Sequence, residues 1–232
     1  MKKLFIFVTF LIFISPHLTA TNENDHKECV PEKSPDMKER QFSKEFVGTF
    51  NGKKLTYTAS LKEKILYEKD NPDIPMASFF YTEYIADSDK NRPVMFSFNG
   101  GPGSASLWLH IGALGPKVVK VPSDASDDGS PPYKMVDNKL SPLSDADLVF
   151  IDPIGTGYSR AIGCHDPKEF WGVNEDPKII AEFIRRWIND NKRWNSPRYI
   201  LGESYGGIRG PLLVSELRSG DLTPIEINGL LM

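Results

Sequence analysis

Tyr199-Ile200-Leu201-Gly202-Glu203-Ser204-Tyr205-Gly206-Gly207 is an apolar run that breaks at a glycine, carries a serine and leads straight into a helical pattern. Ser204 thus stands at the centre of a G-x-S-x-G strand-turn-helix signature, the mark of a nucleophile elbow. A serine hydroxyl is a weak nucleophile until it is lifted clear of the backbone and offered to a base. A tight strand-to-helix turn lifts it only if the flanking positions lack side chains, a need that Gly202 and Gly206 meet. The unpaired amides at the start of the following helix face the serine, so the Tyr205 N–H is placed to stabilise an oxyanion on an attacked carbonyl. An ordinary Gly-rich loop can carry the same pattern; the apolar run on one side and the helix on the other favour the elbow.

A second block, Phe96-Ser97-Phe98-Asn99-Gly100-Gly101-Pro102-Gly103, begins in a strand, Val94 to Phe98, and ends in a glycine-rich loop. An α/β-hydrolase takes its second oxyanion donor from the loop after an early strand, where paired glycines let amides approach a substrate without a β-carbon in the way. Gly101 is the candidate for that donor. A phosphate-cradling loop is the alternative, but no Lys-Ser/Thr follows the glycines and no G-x-G-x-x-G precedes a helix.

A third block, Leu148-Val149-Phe150-Ile151-Asp152-Pro153-Ile154-Gly155-Thr156-Gly157-Tyr158-Ser159, again runs from an apolar strand into a Gly-punctuated turn. In order and spacing the three blocks resemble the serine carboxypeptidase family of α/β-hydrolases, which carries Asn-Gly-Gly-Pro-Gly, a Pro-x-Gly-x-Gly-aromatic-Ser turn and Gly-Glu-Ser-Tyr. The likeness runs from about Phe42 to Met232. It implies an α/β fold, a mostly parallel sheet with antiparallel strands at its N-terminal side, and hydrolysis of C-terminal peptide bonds through an acyl-enzyme, with no cofactor. By this resemblance Ser204 is the nucleophile, and the backbone amides of Gly101 and Tyr205 form the oxyanion hole. Asn99, Gly100 and Glu203 match residues that hold the free C-terminal carboxylate of the peptide, the acid being protonated so that it donates a hydrogen bond.

The sequence departs from the family in places. Ala113 precedes Leu114-Gly115-Pro116 where eukaryotic members usually carry a second glutamate, and Ser104 stands where they carry a cysteine. The stretch from Ser104 to His110 reads more like the bacterial branch. No histidine follows Ser204, although this fold normally supplies its acid and its histidine downstream in the order Ser, Asp/Glu, His. His17, His26, His110 and His165 all lie upstream. His110 reads as a partly buried residue on a short helix and His165 as an exposed loop residue. The sequence therefore predicts the N-terminal part of the fold, truncated one strand past the elbow helix and inactive alone. Ile225 to Met232 would then form an exposed apolar edge, and a separately encoded C-terminal part becomes a possible partner. The competing readings are an enzyme with an unusual base, a non-catalytic module that binds peptide C-termini, and another secreted esterase of the same fold.

Outside the motifs, residues 1–20 read as a signal peptide: Lys2 and Lys3, an apolar stretch from Leu4 to Ile14 that is too short to span a bilayer, and Ala20 at the cut. A secreted or periplasmic protein follows, with no membrane segment after cleavage. Residues 21–41 are dense in charge and read as a polar flexible segment, leaving 42–232 as the hydrolase domain. With 31 acidic residues against 28 basic ones, nothing points to nucleic acid as a partner. Cys29 and Cys164 allow a disulfide in an exported protein without establishing it, and neither has a neighbour at metal-ligand spacing.

Asn51-Gly52 between Phe46 to Phe50 and Leu55 to Thr58 signals a hairpin, and Ala77 to Ile85 a further strand. Beyond Val94 strands alternate with helices, the pattern of a parallel sheet covered on both faces. Asp176-Pro177 reads as a cap and first-turn pair opening a helix whose apolar face runs from Ile179 to Ile188. Lys117 to Asp147 reads as a surface excursion.

Overall fold

The computed structural model describes residues 37–121, 131–219 and 223–232. The signal-peptide reading of 1–20 and all but the end of the polar segment lie outside these residues, as does Cys29. Strand β1 (Gln41–Phe50) turns back through Asn51 and Gly52, both at positive φ, into β2 (Lys53–Tyr67), and β3 (Pro75–Ala86) returns antiparallel to it. The hairpin is where Asn51-Gly52 placed it. Its strands are longer than the sequence pattern suggests, and β1 starts inside the polar segment, at Gln41. Much of β1 is exposed, so register there comes from the backbone ladder, Gln41 opposite Lys62, and not from an apolar stripe.

After β3 the chain becomes α/β. Strand β4 (Val94–Phe98) leads through the glycine loop into a short helix α1 (Leu107–Leu109), which widens into a π turn over His110–Leu114. A small hairpin, β5 (Lys117–Val119) with β6 (Met135–Asp137), stands within the region read as a surface excursion. Then come β7 (Asp147–Ile151), the short β8 (Arg160–Ala161), α2 (Glu175–Asp190), β9 (Arg198–Gly202), α3 (Gly206–Ser219) and β10 (Gly229–Leu231). The main sheet runs β1-β2-β3-β7-β4-β9-β10, with β8 added to β3. Pairing is antiparallel as far as the β3–β7 step and parallel among β7, β4, β9 and β10. This is the α/β-hydrolase arrangement that the sequence predicts.

Strands β4 and β7 are buried throughout, as parallel strands covered on both faces must be. On one face Phe96, Phe98, Val149, Ile151 and Ile200 pack against α2 and α3, where Phe183, Ile184, Trp187, Leu213 and Leu217 close the layer. On the other, Met95, Leu148 and Phe150 meet Phe50, Tyr57 and Leu143, with Leu109 and Leu114 packed alongside. Helix α2 buries the expected apolar face, but its cap differs from expectation. Asn174 precedes the helix, and the Asp176 side chain turns away to the Arg209 guanidinium. A buried charge partner outweighs a helix amide for a carboxylate. Strand β10 lies at the sheet edge with Leu231 and Met232 exposed; Ile225, expected to share that edge, is buried and donates its amide to the Leu217 carbonyl.

Candidate active site

Parallel registry brings Phe98 at the end of β4 beside Gly202 at the end of β9, so the glycine loop and the serine turn emerge side by side. This is the carboxyl end of a parallel sheet, where such folds place their ligands. Ser204 is exposed and sits at φ 58°, a left-handed conformation that costs a non-glycine residue about 1–2 kcal/mol. Amides of Gly206 and Gly207 donate to the carbonyls of Glu203 (2.9 Å) and Ser204 (2.8 Å), closing the turn that imposes it. A β-carbon on Gly202 would stand 2.3 Å from the Gly206 carbonyl oxygen, so this turn admits no side chain there. Among the described residues the Ser204 hydroxyl has no hydrogen-bond partner.

Gly100 is packed against the same turn: a β-carbon there would lie 2.3 Å from the Tyr205 nitrogen and 2.6 Å from the Glu203 carbonyl oxygen. Gly101 follows at φ 105°, and the loop closes with the Ser104 amide donating to the Gly100 carbonyl at 3.1 Å. Neither the Gly101 amide nor the Tyr205 amide has an acceptor among the described residues. The structure therefore leaves open the donors named from the sequence, on neighbouring segments beside Ser204.

Asn99 is fully buried beneath this loop. Its side-chain amide donates to Glu203 Oε2 at 3.0 Å, its side-chain oxygen accepts from the Leu109 amide at 3.0 Å, and its carbonyl accepts from Arg209 Nη1 at 2.7 Å. Asn99 and Glu203 are thus brought together, with Glu203 at the surface and Asn99 behind it. Sequence reasoning missed the residues beneath them. Arg209 on α3 pairs with Asp176 on α2 at 2.5 Å, and its guanidinium lies 5.3 Å from the ring centres of both Phe98 and Tyr205. Burial pushes the Asp176 carboxyl above its ordinary range, and Arg209 draws it back.

The third motif serves as scaffold. Asp152 Oδ1 accepts from the Ser106 amide at 2.8 Å, tying the loop after β4 to the end of β7, and burial raises its pKa. Gly157 is glycine because a β-carbon would stand 2.0 Å from Asp152 Oδ2. Ser159 Oγ accepts from the Phe80 amide at 2.8 Å and donates to the Asp152 carbonyl at 2.7 Å.

The histidines among the described residues are engaged elsewhere. His110 stacks on Phe150 with ring centres 4.8 Å apart, its Nε2 lies 2.6 Å from Tyr84 Oη, and burial lowers its pKa to about 4. His165, expected to be exposed, is held between Glu169 (2.8 Å) and Glu68 (3.0 Å). Carboxylates on both sides draw it in: Glu169 is four positions away, but Glu68 is 97 positions away and gave no local sign. Cys164 is disulfide-bonded. Among the described residues no group of His, Cys, Asp and Glu is placed to hold a metal ion.

A sequence profile of serine carboxypeptidases matches residues 68–232. The chain belongs to the serine carboxypeptidase family. Within it, this family member is 31% identical over 163 residues to serine carboxypeptidase-like 9 of Arabidopsis thaliana, a match that covers 66% of this chain and 35% of the relative. Serine carboxypeptidase-like 12 of the same plant is 30% identical over 162 residues, with the same coverage of 66% and 35%. The chain thus spans about a third of the length of these relatives. Among solved structures, a CIB-like hydrolase of Thermoplasma acidophilum aligns with 73% of this chain and 60% of its own, at a TM-score of 0.38 and 20% identity. A proline iminopeptidase of Mycobacterium smegmatis aligns with 66% of this chain and 39% of its own, at a TM-score of 0.36 and 14% identity.

Proposed function

We propose that this chain carries the nucleophile, oxyanion hole and carboxylate-binding side of a serine-type carboxypeptidase site. One observation carries the reading: an exposed serine held in a left-handed turn between backbone amides, Gly101 and Tyr205, that have no acceptor among the described residues. Amides left free at the mouth of a sheet are the donors an oxyanion needs. In this reaction Ser204 Oγ attacks the last peptide carbonyl and gives its proton to a base. The oxyanion rests on the Gly101 and Tyr205 amides, the C-terminal residue leaves with a proton, and water hydrolyses the acyl-enzyme. Glu203, oriented by Asn99, receives the free carboxylate of the peptide beside Gly100.

The base and its acid come from outside the described residues, since His110 and His165 are both committed to other partners. An Asp and a His from outside the described residues are what this reading calls for. Ser104 and Ala113 support a bacterial-type member, and the charged start, apolar core and Ala20 support export. No helix among the described residues is long and apolar enough to cross a membrane. A second reading, a non-catalytic module that binds peptide C-termini, is favoured by the lack of any partner for the Ser204 hydroxyl among the described residues.

A fluorophosphonate probe separates the readings. The 232-residue chain should label slowly at Ser204, and addition of a C-terminal part carrying the missing acid and base should make labelling fast and dependent on Ser204. Labelling that stays slow in the complemented protein overturns the enzymatic reading and leaves the binding module. Fast labelling of the chain alone, abolished by Ser204→Ala, places a base within it.

A further inference from the structure

Arg209, near the start of α3, is 2% exposed and touches both segments that carry the open amides. Its Nη1 donates to the carbonyl of Asn99, two residues before Gly101, at 2.7 Å, and its guanidinium lies over the Tyr205 ring, 5.3 Å from the ring centre. We infer that Arg209 is a positioning residue for the oxyanion hole, acting through the Asn99 carbonyl and the Tyr205 ring, an inference that rests on the reading of Ser204 as the nucleophile.

The glycine loop needs such an anchor. Gly100 must be bare, since a β-carbon there would lie 2.3 Å from the Tyr205 nitrogen, but a bare residue leaves its own backbone dihedrals loosely restrained. Two hydrogen bonds remove that freedom. The Ser104 amide holds the Gly100 carbonyl at 3.1 Å, and in a planar trans peptide the Gly101 N–H then points the opposite way, out of the loop. Arg209 holds the carbonyl of the preceding peptide, so both peptide planes that flank Gly100 are fixed. Without the guanidinium the Asn99–Gly100 plane is free to turn and to carry the Gly101 N–H off its aim.

The side chain is suited to holding and not to supplying charge. Asp176 accepts from Arg209 Nε at 2.5 Å, so the buried pair brings no net charge toward the oxyanion. A planar fork serves Asp176 through Nε and Asn99 through Nη1 while its plane rests on two rings, Phe98 and Tyr205, each centred 5.3 Å away. A lysine ammonium keeps the charge and can pair with Asp176. It has no plane to set against two rings and no second nitrogen to spare for Asn99. Lysine is therefore the substitution that separates position from charge.

The test uses the 232-residue chain with glycine and tyrosine amides isotope-labelled for NMR, and a fluorophosphonate probe on Ser204. Arg209→Lys should shift the Gly101 and Tyr205 amide signals of the folded protein and slow probe labelling about tenfold or more, once corrected by a urea melt for the fraction folded. The double variant Arg209→Leu with Asp176→Leu should do the same, and it keeps the inference testable if Arg209→Lys fails to fold. Asp176→Asn, which keeps the bond to Asn99, should leave both amide signals near the parent's. A residue that only stabilised the fold would lower labelling in step with the fraction folded and leave the amides of folded protein unmoved; that result overturns the inference. Equal shifts in Asp176→Asn overturn it too, because any disturbance of the pair would then spread to the loop. Amides that move in Arg209→Lys, in a protein whose Ser204 stays unreactive even with an acid and base supplied, uphold the anchor and remove the nucleophile.

Discussion

Gly100 and Tyr205 are in such close contact that a single β-carbon on Gly100 would occupy the space of the Tyr205 backbone nitrogen, at 2.3 Å. The two segments that would bind an oxyanion therefore set each other's position. Gly101 follows one of these residues and Ser204 precedes the other, so the spacing of nucleophile and donors is fixed by a contact that only glycine allows.

Gly100→Ala should push the loop from the elbow. Overpacking of this kind costs about 1–3 kcal/mol. A urea melt should show that loss, and phosphonate labelling of the complemented protein should fall by more than the loss of folded protein explains. A variant with unchanged stability and labelling would mean that the contact is loose.

Arg209 and Asp176 form a buried pair, and removing one partner leaves the other charged without compensation. Arg209→Leu should therefore cost about 3–5 kcal/mol, while the double variant Arg209→Leu with Asp176→Leu should be milder. Chemical denaturation of both variants measures it. If the double variant is the less stable, the carbonyl of Asn99 and the rings of Phe98 and Tyr205 depend on the guanidinium more than on the pairing.

Asn99 and Glu203 should separate stability from recognition. Asn99→Ala strands the Leu109 amide and removes the donor to Glu203, at a cost of about 1–3 kcal/mol, while the backbone carbonyl that accepts from Arg209 stays. Glu203→Gln keeps an acceptor for Asn99 at the surface and should leave the melt nearly unchanged. In a complemented enzyme it should lower the rate ratio between a blocked dipeptide and its C-terminal amide. A ratio equal to the parent's would remove Glu203 from carboxylate binding.

The sequence made the elbow, the glycine loop and the order of the parallel strands legible because each is written in contiguous residues with a steric requirement. Gly202 must be bare, and β4 and β7 are apolar throughout since both faces are covered. The layer beneath was illegible. Arg209 meets Asp176 across 33 positions and Asn99 across 110, and a charged residue on a helix gives no sign of whether it faces water or a buried partner. Asp176 looked like a helix cap for the same reason. His165 looked exposed because Glu68 lies 97 positions away, just past the end of β2. The ends of β1 and β2 were missed because their exposed positions carry no alternation to read.

Ser204 should pay for its position in stability. Glycine escapes the left-handed penalty of about 1–2 kcal/mol but loses roughly 0.5–1 kcal/mol more chain entropy than alanine. Ser204→Gly should thus be more stable than Ser204→Ala by about 0.5–1 kcal/mol, although both lack the nucleophile. Paired urea melts decide it. An alanine variant that matches or exceeds the glycine one would show that the turn relaxes when the hydroxyl is lost.

His110 should make the fold sensitive to acid. Burial against Phe150 and Tyr84 lowers its pKa to about 4, whereas a histidine in the unfolded chain titrates near about 6.5. Above that value both states hold the neutral ring, and the contribution of His110 to stability is fully present. As pH falls from about 6.5 toward about 4 the unfolded chain takes up a proton that the folded one refuses, so stability drains away across that window. The full loss is on the order of 3 kcal/mol. His110→Phe keeps a ring against Phe150 and removes the titration, so its unfolding free energy should fall less than the parent's between those pH values. Carboxylates titrating in the same range are common to both proteins and cancel in the difference. Parallel curves for parent and variant, from denaturant melts at closely spaced pH values, would show that the His110 ring opens to water and takes its proton without unfolding.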